Sequence, residues 1–505
     1  EMLGPKCIYK FTLPHVDSEQ IKKSLSKLSA HHSSLDVLDF DSKLLSIAKN
    51  VIAPYLTTIF NISIDKSYVL KDFKYARVTP VYKGRGPVND LSNYRPISVT
   101  CFISKIHESH VNGRLMDYFL AHDLITTDQS AFLKYHSTQT SLHKIVDDWL
   151  QNIDDKLITG ICSLDIAKCF DSLDHNILLE KLEWYGISGN ELAWFKSYLN
   201  GRCQITTINN TNSSTQELTT GVPQGSVLGP LLFLVYVNDF PQHIGNSSCN
   251  MFADDNILQV TGKDTLEVQS KLQDSVHLAN DWYDKNKLSI NEPKCNVMTI
   301  STKQKKLEDS LDIMINDTHL DHVRSMKHLG LMLDENLLWN DQINHLAKSV
   351  APKMYCLRKL RKSLPPSILN KIFSLCIQPH IDYCCTVWGF LPDGKINKVQ
   401  HIQNSAARLV KNNFDFINVR GLQLVKDLGW QNFTERRDFM TSTLMFKSIH
   451  GLAPTYLSDQ VTMIHDIIPY GTRSTYDMNV HIPPARTEYF KRSFQYTGGT
   501  LWNKL

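Results

Sequence analysis

Asp254 and Asp255 stand side by side between two apolar runs, Cys249 to Ala253 and Asn256 to Val260. That pattern predicts a tight hairpin with paired aspartates at its tip. Adjacent carboxylates at the end of a buried strand repel each other, so a purely structural role would be costly. A divalent cation removes the cost, because Mg²⁺ takes hard oxygen ligands and is held by one or two carboxylates plus substrate phosphates. Alone, an Asp-Asp pair stands for an ordinary polar turn as readily as for a metal site. A second apolar run lies upstream, Gly160 to Leu164, and it too ends in a carboxylate, Asp165. Two strands side by side would bring Asp165 next to Asp254 and Asp255. Three carboxylates around two metals roughly 3.5–4 Å apart serve in-line phosphoryl or nucleotidyl transfer. One metal would lower the pKa of an attacking hydroxyl, and the other would neutralise a leaving pyrophosphate. The alternatives for Asp165 are a helix N-cap or a strand-end turn residue, and the apolar run before it with Ile166 and Ala167 after it makes the cap less natural.

Between these carboxylates lies Gly221-Val222-Pro223-Gln224-Gly225-Ser226-Val227-Leu228-Gly229-Pro230. Glycines with a proline describe a bent loop whose backbone approaches something closely. An apolar helix, Leu231 to Val237, follows. Strand patterns run over Ala76 to Tyr82, Cys203 to Ile208, Thr215 to Thr220, Cys295 to Ile300, Leu311 to Ile315 and Lys327 to Leu333, with a hairpin signal at Asn209 to Asn212. Helical patterns cover Leu44 to Phe60, Phe102 to Leu120, Thr138 to Leu150 with Ser137 as N-cap, and His175 to Tyr185 capped by Asp174. Ser188 with Glu191 reads as a capping box opening a helix to Leu199. Leu266 to Lys285 is also helical. From Leu338 onward helices dominate: Gln342 to Arg361, Pro366 to Cys376, Ile396 to Val410 and Phe433 to His450.

The 505 residues suffice for more than one domain, and 42% hydrophobic with 21% charged residues are globular values. A net charge of +3 leaves nucleic-acid binding to local patches. Eleven cysteines without a paired framework suit a reducing compartment. No signal-peptide pattern opens the chain, and no apolar run approaches the roughly 20 residues of a membrane span. The expectation is a soluble intracellular protein with no membrane partner. Cys376, His380 and Cys384, with Cys385 beside them, superficially suggest zinc. Pro379 interrupts that helix and no second cluster has finger spacing, so ordinary core thiols are the better reading.

Order and spacing together resemble one family, the reverse transcriptases of non-LTR retrotransposons, most closely the jockey-like LINE group. The resemblance is carried by Asn93-Tyr94-Arg95-Pro96-Ile97-Ser98, by Leu164-Asp165-Ile166-Ala167-Lys168-Cys169-Phe170-Asp171 with His175, by Gly221 to Pro230, and by Phe252-Ala253-Asp254-Asp255. Leu288-Ser289-Ile290-Asn291 with Lys294 and His328-Leu329-Gly330 extend it. It implies an α+β, right-hand polymerase with fingers, palm and a mostly helical thumb. On that plan residues 1–60 are an N-terminal linker, 61–156 the fingers, 157–337 the palm with metal site and primer-grip hairpin, 338–470 the thumb, and 471–505 a tail that stops inside a family motif. Strands Leu311 to Ile315 and Lys327 to Leu333 resemble the primer-gripping hairpin.

The resemblance also implies roles. Asp165, Asp254 and Asp255, with the backbone of Ile166, would hold two Mg²⁺ ions, Mn²⁺ being a possible substitute. Phe170 falls where these enzymes place an aromatic steric gate that excludes a ribose 2′-OH, its alternative being an ordinary core phenylalanine. Gln224 and Gly225 match the loop supporting the incoming nucleotide, and Arg95 a triphosphate contact whose planar donor fork suits phosphate oxygens. Lys83 stands equally for a second such contact or for a solvated lysine. Lys294 falls where the family keeps a lysine that could protonate departing pyrophosphate, its alternative being a turn residue after Pro293. The basic helix with Lys348, Lys353, Arg358, Lys359, Arg361 and Lys362 would track a phosphate backbone rather than merely face solvent. Phe252 replaces the usual tyrosine and Cys169 the usual alanine, and neither change removes a metal ligand.

The expected activity is RNA-directed DNA synthesis from a primer 3′-OH with dNTPs, acting in the nucleus after cytoplasmic assembly with the element's own RNA. The sequence carries no endonuclease, so the chain reads as a fragment or truncated copy that needs a separate nicking enzyme. Two alternatives belong to other classes: a catalytically dead relic that only binds nucleic acid, and a maturase-like RNA-binding protein.

Overall fold

The computed structural model describes residues 7–28, 34–84, 86–305, 310–467 and 478–505. The first part of the expected tail, 471–477, therefore lies outside the described residues. Helices and strands mix along the chain in an α+β arrangement. The chain divides into two compact units, each assembled from three separated stretches. One comprises Glu1–Phe132, Ile166–Ile244 and Leu278–Asn291, and the other Leu133–Asp165, Gly245–His277 and Glu292–Leu505.

In the first unit Tyr75–Tyr82 and Tyr94–Thr100 form an antiparallel hairpin, and Tyr75–Tyr82 also pairs in parallel with Arg202–Ile208. The latter strand turns back at Asn209 and Asn210, both at positive φ, into Thr211–Asn212. Asparagine tolerates that conformation, which is why the asparagine run signals the turn. The helix Phe102–Ala121 packs near Lys49–Asp65, where Phe60 stacks on His107 at 4.4 Å. The helix Gly229–Val237 is apolar all round and buried, with Pro230 in its first turn. Lys181 is buried too, and its charge is met by Asp239 at 2.6 Å and the Tyr236 carbonyl.

The second unit is organised around a five-stranded sheet in the order Asp321–His322, Asn296–Ile300, Ile158–Asp165, Asp255–Gly262, Ser248–Phe252. Its central strand is buried along nearly its whole length, with helix Thr138–Asp154 packed against it. Trp149 on that helix donates to Gln259, and Ser141 to Asn250, fixing helix against sheet. Gly160 leaves room for Val268, which a Cβ would meet at 2.3 Å. A helical region follows, built on Asn340–Leu360, Pro366–Cys376, Asp393–Lys411 and Phe433–Ile449, and its apolar faces share one core with the sheet.

Several expectations need correction. Ser188 precedes its helix but makes no side-chain cap bond, and Glu191 accepts from the Leu13 amide instead. The pattern at Leu44 to Phe60 breaks into two helices, Ser42–Ile47 and Lys49–Asp65. Lys327 to Leu333 is a hairpin, not a strand: Ser325–His328 pairs with Leu331–Asp334 across Leu329 and Gly330, both at positive φ. It does not pair with the upstream strand, of which only Met314–Ile315 forms, against Thr318–His319.

Candidate active site

The two acidic motifs meet in the second unit. Ser248–Phe252 and Asp255–Gly262 form an antiparallel hairpin closed by Ala253 and Asp254, with Phe252 opposite Asp255. Ala253 adopts φ 57, a left-handed conformation that is uncommon for a residue with a Cβ. Strand Ile158–Asp165 lies antiparallel to the same strand, from Ile158 opposite Gly262 to Asp165 directly opposite Asp255. Facing residues on paired strands lie only about 4.5–5.5 Å apart, and like charges there are destabilising. The Asp255 carboxyl is accessible yet ringed by protein, and it is pushed up to about 6 by burial first, then by Asp254 and Asp165.

Lys294 ends a short turn, Glu292–Lys294, and its Nζ donates to Asp165 Oδ2 at 2.9 Å. The turn alone would not direct that side chain, so the ammonium answers the local excess of negative charge. A cavity of about 450 Å³ is lined by Asp165, Asp255, Asn256, Lys294, Lys327 and His328. Among the described residues no group of three His, Cys, Asp or Glu side chains converges closely enough to hold an ion unaided. This donor set nevertheless fits a hard divalent cation, which uses one or two carboxylates and completes its shell from substrate phosphates and water. Crowded carboxylates supply the charge that such a cation neutralises.

The other motifs gather in the first unit. The Ser98 amide donates to the Gln224 carbonyl at 2.9 Å, tying the 221–230 loop to the edge of the Tyr94–Thr100 strand. Gly225, at φ 142, lies where a Cβ would be 2.2 Å from the Ser98 carbonyl oxygen. The Gln224 side-chain amide donates to both oxygens of Asp171 at 3.1 Å. Phe170 stacks on Phe233 at 5.1 Å, and its carbonyl accepts from Val222. The ring is partly buried, with Phe233 packed against it. Ile166 is buried and bridges to Ile290. Arg95 is exposed on its strand, while Lys83 spends its ammonium on the Ser92 carbonyl at 2.7 Å.

The basic helix ends at Leu360, so Arg361 is its C-cap and Lys362 lies beyond it. Lys348, Arg358, Lys359 and Lys362 are exposed, whereas Lys353 reaches back to the Ser349 carbonyl. Near the former zinc pattern, burial pushes the Cys384 and Cys385 thiols up to about 12, which keeps them protonated. Cys376 is exposed, and none of the eleven cysteines, all among the described residues, forms a disulfide.

Three positioning residues escaped the sequence reading. Asp171 anchors Gln224, although it stands inside a motif already singled out. His175 Nε2 holds the Gly221 carbonyl at 2.8 Å. Glu108, buried in helix Phe102–Ala121, accepts from the Val227 and Leu228 amides at the entrance to the apolar helix. A buried carboxylate there suits a helix N-terminus. The available signal was an acidic residue on the apolar face of a predicted helix.

Residues 83–333 match the family model of reverse transcriptase (RNA-dependent DNA polymerase). The chain is 28% identical over 363 residues to a probable RNA-directed DNA polymerase from transposon X-element of Drosophila melanogaster, covering 70% of this chain and 40% of that protein. It is 28% identical over 406 residues to an RNA-directed DNA polymerase from mobile element jockey of Drosophila funebris, with 78% and 44% covered. The corresponding protein from transposon BS of Drosophila melanogaster is 27% identical over 404 residues, with 77% and 44% covered. The matches span less than half the length of these relatives. No helix among the described residues is long and apolar enough to cross a membrane.

Proposed function

Residues 83–333 belong to the reverse transcriptase family in the form carried by non-LTR transposons, and from that premise we propose that this chain extends a primer 3′-OH on an RNA template with dNTPs. The observation that carries the reading is the register of Asp165 opposite Asp255, with Asp254 in the adjoining turn. In this reading the sheet and hairpin bearing these carboxylates are the palm, Tyr75–Tyr82 with Tyr94–Thr100 belongs to the fingers, and the helices after Asn340 form the thumb.

Asp165, Asp254 and Asp255, with the Ile166 carbonyl, would hold Mg²⁺, Mn²⁺ being the substitute. When bound, such ions acidify an attacking hydroxyl and offset charge on a leaving pyrophosphate. The protein's own residues do the rest. Lys294 donates to Asp165 and would give a proton to a departing phosphate oxygen. Arg95 offers a planar fork to the triphosphate, and Lys83 serves it only by leaving Ser92. Gln224, held by Asp171 and Ser98, supports the base pair being formed. Phe170 fills the space a ribose 2′-OH would need. Arg358, Lys359, Arg361 and Lys362, with Lys348 and Lys353, follow the phosphate backbone of template and primer. A nicked genomic strand is the natural primer, supplied in the nucleus by an endonuclease activity, with the element's own RNA as template.

The test is primer extension by the purified chain on RNA and DNA templates, with Asp165→Asn, Asp254→Asn and Asp255→Asn beside it. Each substitution keeps size and removes charge. Because such residues act as a unit, each alone should abolish extension while template binding persists. Wild-type extension with any of the three variants refutes the assignment.

A further inference from the structure

Beyond the carboxylate site, the second unit carries an exposed group of aromatic rings interleaved with cations. Tyr355 on helix Asn340–Leu360 is 59% exposed, and Phe414 and Phe416, just after helix Asp393–Lys411, are 42% and 72% exposed. Large apolar side chains left in water next to one another mark an interaction surface. They border a groove of about 350 Å³ whose walls include Met354, Tyr355, Arg358, Arg408, Phe414 and Phe416.

The platform is built, not incidental. Arg408 is buried, and its guanidinium donates to the Asp415 and Val419 carbonyls at 3.0 and 2.6 Å, pinning the loop. The same guanidinium lies 4.3 Å from the Phe416 ring centroid, supporting that ring on one face. Asp415 turns inward to the Ile417 and Asn418 amides at 3.0 and 2.9 Å, so its charge is spent on the loop itself. Arg361 lies 4.4 Å from the Phe414 centroid and reaches Asn412, and Lys359 lies 5.4 Å from the Tyr355 centroid. Each ring thus carries a cation beside it. Arg358 on the groove wall is exposed, as are Lys359, Lys362 and Lys411 on the adjoining stretches of chain.

Stacking rings bordered by cations recognise bases and phosphates together, the combination that binds single strands with little regard to sequence. A paired duplex hides its base faces and could use only the cations. From this geometry we infer that Tyr355, Phe414 and Phe416 form a stacking platform for unpaired nucleotides of a single strand, distinct from backbone tracking along a duplex. This rests on the reading of the chain as a nucleic-acid polymerase, and it adds a second, strand-state-specific contact to it. A protein segment laid in the same groove would have to be acidic and would show no preference among nucleic acids.

The experiment measures anisotropy of a labelled oligouridylate, an oligothymidylate and a blunt DNA duplex of equal length, each bound by the full chain across a salt series. Tyr355→Ala with Phe416→Ala should weaken both single strands by about ten-fold or more per stacked base. Duplex affinity should stay within about twofold, and the salt slope should be unchanged, since no phosphate contact is lost. Phe416→Trp should restore binding in the Tyr355-intact chain. Should the double variant melt early, Phe416→Ala alone carries the test, its ring being mostly in solvent. Loss on the oligouridylate alone restricts the platform to RNA and supports it. Equal loss on the duplex, or no loss on either single strand, overturns it. Extension by the wild-type chain is scored separately: an inactive wild type that still binds single strands through Phe416 sinks the polymerase reading and leaves this one standing.

Discussion

Replacing Gly225 by alanine tests whether the 221–230 loop is positioned by its close approach to the Ser98 strand. The new Cβ would sit 2.2 Å from the Ser98 carbonyl oxygen, against 3.4–4 Å for ordinary contact. One side must yield by roughly an ångström. Ser98 is held in a ladder opposite Val78, so the sheet resists and the loop moves. The φ of 142 adds strain of about 1–3 kcal/mol for a residue with a side chain. Moving the loop also breaks the hydrogen bond from the Ser98 amide to the Gln224 carbonyl and drags the Gln224 side chain from Asp171. A misplacement of about 1 Å at a substrate-positioning group costs on the order of 100-fold, which corresponds to about 2.7 kcal/mol in the barrier. The expected outcome is a fall of that size in kcat/KM for single-nucleotide incorporation on a primed RNA template. Template–primer affinity should hold, and the melting temperature should fall by only a few degrees. Gly201→Ala is the control, because Gly201 has φ 66 but nothing within 4 Å of a Cβ, so it carries strain without collision. If Gly225→Ala stays within about threefold of wild type while folded, or if Gly201→Ala is equally impaired, the close approach does not position Gln224.

Phe170→Val should open space beneath the sugar and lower the ratio of kcat/KM for dNTP over rNTP, with dNTP use reduced only moderately; an unmoved ratio returns Phe170 to its packing role against Phe233. Neutralising Arg358, Lys359, Arg361 and Lys362 together should flatten the salt dependence of template–primer binding, since log K falls by about 0.9 per phosphate contact per decade of salt on duplex DNA; an unchanged slope makes these cations solvated surface. Burial holds the Asp147 carboxyl up at about 8 against an ordinary 3.8, so the folded state binds the extra proton. Its stabilisation is therefore present below about pH 4 and lost as pH rises towards 8, at up to about 1.4 kcal/mol per pH unit. Nearby His143, held down at about 3 by burial, contributes the opposite slope below its ordinary 6.5 and nothing above it. Urea unfolding should show wild type losing ground to Asp147→Asn between pH 6.5 and 8, and parallel curves would refute the buried neutral acid.

The carboxylate site was legible because its chemistry sits where strand periodicity ends. Apolar runs that stop at Asp165 and restart after Asp255 mark two strand ends that could meet, and the register that sets Asp165 opposite Asp255 comes from the structure. Local caps were equally legible: Ser137 and Asp174 accept the amides their positions predict. Ser188 shows the limit, since the same local signal was overridden when Glu191 turned to a distant amide. The strand pattern over Lys327 to Leu333 failed for another reason. Apolar residues continue through Leu329, yet Gly330 at φ 81 and the Tyr383 ring against it force a reversal. Nothing in the alternation of side chains records a backbone that folds on itself. Asp171, His175 and Glu108 were invisible as positioning residues because their partners lie tens of residues away. The exposed rings at Tyr355, Phe414 and Phe416 come from a helix and from a loop after another helix, whose proximity no local pattern encodes.

What separates the proposed catalytic carboxylates from the capping and ion-paired acids is their surroundings. Asp17, Asp41 and Asp174 accept helix-start amides. Asp154 is buried, and it accepts the Arg486 and Thr487 amides and the Thr487 hydroxyl. Glu108 is answered by two amides and a serine, and Asp239 by Lys181 and the Trp282 indole. Each of these acids gains a donor by folding, and its charge stabilises the structure that supplies it. For Asp255 the sign is reversed: burial and two further carboxylates all disfavour its charge. Folding has set it opposite Asp165, and Lys294 answers only one of the charges gathered there. A fold that keeps such an arrangement bears an electrostatic cost at one place, and a cation is the ligand that relieves it. That inversion links the adjacent aspartates in the sequence to the chemistry proposed for the chain.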